Sequence, residues 1–330
     1  MTMPPKISVI IINYNYGRFL GDAIESVLAQ DFAGEMEVLV VDDGSTDNSA
    51  ELVKPYLDRV KWLPKTNGGQ VSAFNHAMRH ATGEWVGLLE ADDTWDKNKL
   101  AKTFKRLERE QDASLIQHWL LQSDSKLRPL DGYIYPKGPE HFNFDDTLIG
   151  LPYGGTSCIV FNRARLAAMP PMPEDMLYGA DICLRWAAAA VKPIANIPEV
   201  LGKRRLHGAN LFGRTLYDDP AKITAAIAFH TALLNYLASV VRTTGTAPSP
   251  ASLAHIARER AQMDIFHHRY SGRSRQAFSA WLKLARLLPA APGSLFKIFS
   301  TLLIVVSPRA YIKLQGLYSK LLLIKAKKNG

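Results

Sequence analysis

Glu90, Asp92 and Asp93 place three acids within four positions, directly after the apolar run Trp85 to Leu89. Such a run reads as a buried strand. Its acids then lie at the C-terminal strand end, where open parallel sheets bind ligands. Carboxylates this close repel one another, and burial makes the repulsion costly. A hard divalent cation, Mg²⁺ or Mn²⁺, held by one or two carboxylates together with substrate phosphates, would relieve it. Taken alone, the pattern also suits a solvated acidic turn in which Asp93 caps the next helix.

Four further groups carry chemistry. Asn13-Tyr14-Asn15 ends one apolar run and Asp42-Asp43-Gly44-Ser45 ends another. In a doubly wound sheet these ends are neighbours, so a carboxylate can accept from a base N–H or a ribose hydroxyl while Tyr14 stacks on the base. The same Asp-Asp-Gly-Ser run also suits a tight turn with a helix cap. Asn67-Gly68-Gly69-Gln70 precedes a helical pattern; its glycines allow close backbone approach, and the helix start offers free N–H groups to a phosphate. Ordinary loops share this look. Asp181, in Gly179-Ala180-Asp181, is either a helix-start acid favoured by the macrodipole or a general base for an attacking hydroxyl. In Arg204-Arg205-Leu206-His207-Gly208-Ala209-Asn210, Arg205 suits a diphosphate and His207 a metal or phosphate; a solvated basic loop is the plainer reading.

The elements that must position these groups alternate. Ile7–Ile12, Glu37–Val41, Val60–Leu63 and Trp85–Leu89 read as strands. Between them Leu20, Ala23, Ile24, Val27 and Leu28 have amphipathic helical spacing. Residues 47–57 read as a helix capped by Ser45, Thr46 or Asp47, with Pro55 set to end or kink it, and residues 70–81 as a third helix. Alternation of this kind implies βαβ units and a largely parallel sheet covered on both faces. A charged helix over 97–110, a strand over 115–121, a strand over 156–161 and a helix over 181–190 follow. From Ala221 the chain reads as helical, interrupted by a turn-rich linker at Thr243–Pro250.

The 330 residues suit one large domain and a smaller one, and two cysteines imply no disulfide framework and fit a reducing compartment. Met1–Lys6 lacks a signal-peptide pattern, since the strand-like run begins at Ile7. No apolar stretch stands out as a membrane span; Leu295–Val306, the best candidate, is interrupted by Lys297 and Ser300. The net charge of +9 is uneven: no Asp or Glu follows Asp264, whereas twelve Lys and Arg do. Such a tail suits nucleic acid or an anionic membrane surface.

In their order, Ser8–Asn15, Val40–Asp47, Asn67–Gly69, Gly83–Asp93, the Gly-Ala-Asp181 segment and Arg205-x-His207-x-x-Asn210 resemble the family-2 glycosyltransferases over residues 7–210. The resemblance implies a GT-A nucleotide-binding α/β domain over 1–215, with a mostly parallel central sheet, followed by a helical, basic region over 216–330. It implies inverting transfer of a sugar from a nucleotide-diphosphate sugar, a UDP-sugar above all, with Mn²⁺ or Mg²⁺. Ile12, Tyr14, Asn15, Asp42, Asp43, Asn67, Gly68, Gln70, Glu90, Ala91 and Asp92 would bind the nucleotide. Asp92, Asp93 and His207 would hold metal, Arg205 and His207 would meet the diphosphate or acceptor, and Asp181 would be the base. Two departures stand out. Glu90 occupies the first position of the family's Asp-x-Asp, and the Gln-x-x-Arg-Trp of processive synthases is absent, which favours transfer of one sugar.

Tyr311, Leu314, Leu317, Tyr318, Leu321 and Ile324 form an apolar side at helical spacing, with Lys313, Lys320 and Lys327 off it. A basic amphipathic helix of this kind lies on membranes, or else packs on the domain before it. The expected partners are therefore a nucleotide sugar, a glycan or lipid-linked acceptor and an anionic membrane, and not nucleic acid, for which no recognised module is present. The expected place is the cytoplasm, peripheral on the inner face of the cytoplasmic membrane. Two rival functions are a nucleotidyltransferase, although Tyr14-Asn15-Tyr16-Gly17 is no Gly-rich basic loop, and a catalytically weak, membrane-tethered scaffold.

Overall fold

The strand β1 (Lys6–Asn13) is buried at every position after Lys6, with parallel neighbours on both sides. A near-continuous Val/Ile run fits that environment, since both faces of the sheet are covered. The computed structural model describes residues 6–135, 139–149, 155–208, 220–288, 292–307 and 310–311. After β1 come α1 (Gly17–Leu28), β2 (Glu35–Asp42), the short α2 (Ser49–Leu52), β3 (Lys61–Pro64), α3 (Gly69–Met78) and β4 (Trp85–Glu90). Then follow β5 (Thr94–Trp95), α4 (Lys99–Leu107), β6 (Leu115–Ser123), β7 (Pro129–Tyr135), β8 (His141–Phe142), α5 (Phe144–Leu148), β9 (Ile159–Asn162), α6 (Arg163–Leu166), α7 (Ala180–Val191) and β10 (Ile194–Arg205).

The sheet runs β3-β2-β1-β4-β9-β6-β10-β5, with β7 beside β6 and β8 beside β10. The first four strands are mutually parallel, and β6 is parallel to β10; β9 runs antiparallel between β4 and β6. The expected α/β architecture with a mainly parallel sheet is thus present. Register decides what the sheet presents. Asn13 pairs with Asp42 and Ile12 with Glu90, so the polar ends of β1, β2 and β4 fall in one row. The helix α1 buries Leu20, Ala23, Ile24 and Val27 in the core against this sheet.

Three expectations need correction. The helix over 47–57 is only Ser49–Leu52 followed by a 3₁₀ turn at Lys54–Tyr56, because Pro55 cannot supply an interior helical N–H. The strand over 156–161 begins at Ile159, after a 3₁₀ turn at Thr156–Cys158. Arg204 and Arg205 are not in a loop: they end β10, a twelve-residue strand.

By packing, the chain groups into two units, Met1–Ala209 with Ala232–Ala247, and Asn210–Thr231 with Pro248–Gly330. The division expected at 215/216 lies outside the described residues. The helices α8 (Pro220–Thr244), α9 (Pro250–Tyr270), α10 (Ser274–Leu287) and α11 (Pro292–Val306) make the C-terminal part helical. Within the second unit, Ala261, Ile265, Phe266, Ala280, Leu284, Ile304 and Tyr311 form a core. The helix expected from Ala221 is present, and its segment Thr224–Thr244 is long and apolar enough to cross a membrane by length and composition, where the sequence points to Leu295–Val306 as the best candidate. The amphipathic pattern beyond Tyr311 lies outside the described residues, as does Asn210.

A tight spot in this sheet gives a stability test. A Cβ on Gly83 would lie 2.4 Å from the Ser8 amide nitrogen, and Gly83 N–H also donates to Ser8 Oγ at 2.8 Å. Gly83→Ala should therefore destabilise by at least about 1–3 kcal/mol. Gly155→Ala, which meets nothing within 4 Å among the described residues, should be neutral or stabilise slightly. Thermal unfolding followed by circular dichroism checks the pair.

Candidate functional site

The row of strand ends is organised first by Asn13. Its Nδ2 donates to Asp42 Oδ1 (2.7 Å), Ser49 Oγ (2.9 Å) and Ser45 Oγ (3.1 Å). Asn15, in the left-handed region at φ 57°, accepts through Oδ1 from the amides of Thr46 and Asp47. Asn15 and Asp42 therefore shape the loop that follows β2, while the Tyr14 side chain stands open to solvent. Asp43 is buried, and its carboxylate is taken up by Lys65 Nζ (2.6 Å) and the amides of Gly68 (3.0 Å) and Gly69 (2.7 Å). Asn67 Nδ2 closes the same loop on the Asp43 carbonyl (3.0 Å). The loop needs glycine at Gly44: at φ +75°, a Cβ would come within 2.6 Å of the Asn67 amide.

The three acids after β4 each have a different partner set. Glu90 Oε1 accepts from Gln70 Nε2 at 2.5 Å. Asp92 Oδ2 lies 3.0 Å from His207 Nε2. Asp93 accepts from Ser157 Oγ (2.5 Å) and the Arg205 amide (2.9 Å). Asp93 therefore does not cap α4, whose N-cap is Asn98. Burial first, and then the Asp92 charge, push Glu90 up to about 7 and Asp93 well above the usual carboxylate range. Ile12 and Ala91 contribute backbone: Ala91 N–H donates to Ile12 O at 3.0 Å and ties the acidic turn to β1.

Sequence reasoning missed the residue at the centre of this arrangement. Ser157, on the 3₁₀ turn before β9, donates to Asp93, accepts from the Glu90 amide (3.1 Å), and offers its carbonyl to Lys99 Nζ (3.0 Å) and Trp95 Nε1 (2.8 Å). Lys99 is wholly buried, with its Nζ 3.4 Å from the Trp95 ring centroid, and burial pushes its pKa well below the ordinary lysine range. No local pattern marks Ser157, because every one of these contacts is long-range.

Arg205, expected to meet a diphosphate, is buried and spent on the protein. Its Nε donates to the Asp92 carbonyl (2.8 Å), Nη1 to the Ser125 carbonyl (2.7 Å) and Nη2 to Asp22 Oδ2 (2.7 Å), with the guanidinium over Phe19. It braces the acidic turn instead. The His207 ring sits between Tyr16 and Phe19, at 5.2 and 4.9 Å between centroids.

Asp181 lies in the first turn of α7. Its Oδ2 accepts from Arg185 Nη1 (3.1 Å), four residues on. Arg185 is itself buried and also donates to Gln117 Oε1 (3.0 Å). This spacing of an acid and an arginine on one helix is a signal the sequence does carry. Asp181 stays partly exposed, with a free lone pair beside a fixed cation, a geometry that suits a general base.

A divalent ion fits this chemistry in a limited way. Among the described residues no three His, Cys, Asp or Glu side chains converge. Asp92 Oδ2 and His207 Nε2 lie 3.0 Å apart, so a cation held by both would replace the hydrogen bond between them. Mg²⁺ and Mn²⁺ sites of this kind are completed by substrate phosphates and water.

Comparison with known proteins follows the same lines. Residues 8–167 match the family model described as Glycosyl transferase family 2. An uncharacterized glycosyltransferase of Nostoc sp. is 35% identical over 216 residues, 62% of this chain and 66% of that protein. A putative teichuronic acid biosynthesis glycosyltransferase of Bacillus subtilis, TuaG, is 35% identical over 150 residues, 44% of this chain and 57% of that protein. An uncharacterized glycosyltransferase of Rickettsia felis is 29% identical, covering 67% of this chain and 36% of its own length. The chain thus spans between about a third and two thirds of these relatives. Among solved structures, S. aureus TarS in complex with UDP-GlcNAc shares the fold, with a TM-score of 0.59 at 19% identity over 93% of this chain and 88% of that one. A mannosyltransferase from Pyrobaculum calidifontis in complex with GDP-Man and Mn²⁺ does so with a TM-score of 0.53 at 18% identity, over 96% and 85%.

Ser157→Ala tests the core of the site. It removes the side-chain donor to Asp93 and the acceptor for the Glu90 amide while keeping the carbonyl for Lys99. The loss should be about 1–3 kcal/mol, the cost of leaving a buried charged group without its donor, read by chemical denaturation.

Proposed function

The chain belongs to glycosyl transferase family 2 through residues 8–167, and from that premise we propose that it moves one sugar from a nucleotide-diphosphate sugar, a UDP-sugar, to a hydroxyl of a glycan or lipid-linked acceptor, with inversion. The observation that carries this reading is the paired arrangement at the strand ends. Asp92 with His207 lies after β4, and the Arg185-held Asp181 opens α7, bridged to Glu90 by the Gln70 side chain.

The nucleoside lies over the ends of β1 and β2, where the exposed Tyr14 ring offers a stacking surface; the amides of Gly68, Gly69 and Gln70, expected to face a phosphate, are taken by Asp43 and the Leu177 carbonyl instead. Glu90 faces the ribose. Asp92 and His207 would hold a divalent ion, which when bound neutralises charge on the departing diphosphate. Asp181 takes the proton from the acceptor hydroxyl. The freed oxygen bonds to the anomeric carbon from the face opposite the diphosphate, whose bond to that carbon breaks and which leaves with the electron pair. Arg185 holds Asp181 in place and keeps one of its oxygens committed.

The acceptor reading rests on charge and exposure in the second unit. There α10 exposes Phe278 and Leu282 beside Arg275, Lys283 and Arg286, and α11 exposes Phe299 and Val306 on one side. With no acid after Asp264, this composition suits an anionic bilayer, with the enzyme peripheral on the cytoplasmic face and a lipid-linked acceptor presented there. Synthesis of an envelope polysaccharide fits that setting; TuaG, a relative, is named for teichuronic acid biosynthesis.

Two outcomes are expected. In a panel of UDP-, GDP-, dTDP- and CDP-sugars with Mn²⁺, one nucleotide class should raise the melting temperature and be turned over, and Asp181→Asn should cost roughly 10²-fold or more in turnover while leaving that shift nearly intact. Full-length protein should co-sediment with anionic but not neutral vesicles, weakening steeply with salt because screening sets in within about 10 Å at 0.1 M, whereas the full-length variant carrying Arg275→Glu, Lys283→Glu and Arg286→Glu on the exposed side of α10 should stay in solution.

A further inference from the structure

Gln70 was expected among the nucleotide contacts, yet its side chain is spent inside the protein. Nε2 donates to Glu90 Oε1 (2.5 Å) and Thr156 Oγ1 (3.1 Å), and Oε1 accepts from the amides of Gly179 (2.9 Å) and Ala180 (3.2 Å). Those two amides are the N-cap and first residue of α7, the helix that carries Asp181, and no side chain of its own segment caps it. The first N–H groups of a helix lack intrahelical partners, and here an amide oxygen from α3 supplies one. The backbone is locked in the same place: Gln70 N–H donates to Leu177 O at 2.8 Å, and Gly69, at φ +85°, approaches Leu177 so closely that a Cβ would lie 2.7 Å from its Cα.

We propose that Gln70 is a positioning residue that couples the acid on the donor side, Glu90, to the helix that carries the base, Asp181. The inference rests on the reading of Asp181 as base. Only a carboxamide does both jobs at this place. It must accept from two backbone amides and donate to a carboxylate, which fixes the orientation of its oxygen and nitrogen. Glutamate lacks the donor, and an aliphatic chain lacks both. The coupling also accounts for glutamate at position 90. The carboxylate must reach across to α3, and aspartate is one methylene shorter. A donor engaged by Glu90 would thereby stiffen the start of α7, and the base would be in place when the acceptor arrives.

The test is a double-mutant cycle on the full chain with a UDP-sugar and Mn²⁺, reading the donor dissociation constant by calorimetry and kcat for transfer. Gln70→Ala should leave donor affinity within about threefold and lower kcat by roughly 10- to 100-fold, the cost of misplacing a reacting group by about an ångström. In an Asp181→Asn background the same change should cost almost nothing more, because Gln70 acts through Asp181. Should Gln70→Ala fail to fold by circular dichroism, Gln70→Glu, which keeps length and the two acceptor bonds but loses the donor to Glu90, should show the same fall in kcat. A loss confined to donor affinity, a loss that multiplies with Asp181→Asn, or full activity in either folded variant overturns the inference. A wild-type chain that neither binds nor turns over any nucleotide sugar overturns the transferase reading itself, and the inference with it.

Discussion

Carboxylate repulsion at the end of β4 is the constraint around which this molecule is organised. Three acids in four residues are held where solvent screens them poorly. The protein answers with a separate set of donors for each: Gln70 for Glu90, His207 for Asp92, and Ser157 with the Arg205 amide for Asp93. Those donors come from α3, from the turn before β9 and from the end of β10. Three distant stretches of chain must therefore meet before the acids can be tolerated. Ser157 passes the demand further inward, since its carbonyl accepts from the buried Lys99. Burial, and behind it the Asp92 charge, hold Glu90 and Asp93 above the usual carboxylate range. A cation bound among these carboxyls would favour their ionised forms.

The second acidic feature, Asp181, is handled differently. A single buried arginine one helical turn away holds it, and its other side is left accessible. A carboxylate with one committed oxygen and one free oxygen is oriented without being exhausted. Gln70 stands between the two acidic features and touches the supports of both, which gives the site one mechanical frame instead of two independent halves.

Much of this was legible in the chain. The Val/Ile runs of β1 and β2 and the apolar face of α1 mark their elements by period alone, and the acids after Leu89 fall at the C-terminal end of β4 as the pattern implies. What was not legible depended on long-range pairing. The strand β10 hides behind Pro198, Gly202 and three consecutive cations, and its pairing with β6 contains two register shifts, so no clean alternation exists to find. Arg205 looked like a ligand for phosphate because a run of cations before a histidine reads as an exposed loop; in the strand it points inward and is consumed by Asp22, Ser125 and the Asp92 carbonyl. Asp43 likewise reads as a ligand contact, but its carboxylate is spent on Lys65 and the amides of Gly68 and Gly69. Ser157 carries no local signal at all. Only Arg185, four residues from Asp181, was within reach of spacing arguments and was passed over.

The account turns on whether negative charge around Asp92 waits for a cation and a nucleoside diphosphate together. Calorimetric titration of UDP into the full-length protein with and without Mn²⁺ measures this directly. Binding should be at least tenfold tighter with the ion, Mn²⁺ should bind tighter by the same factor when UDP is present, as linkage requires, and both gains should vanish in Asp92→Ala. Equal UDP affinity in Mn²⁺ and in EDTA, or a gain that survives Asp92→Ala, would contradict it.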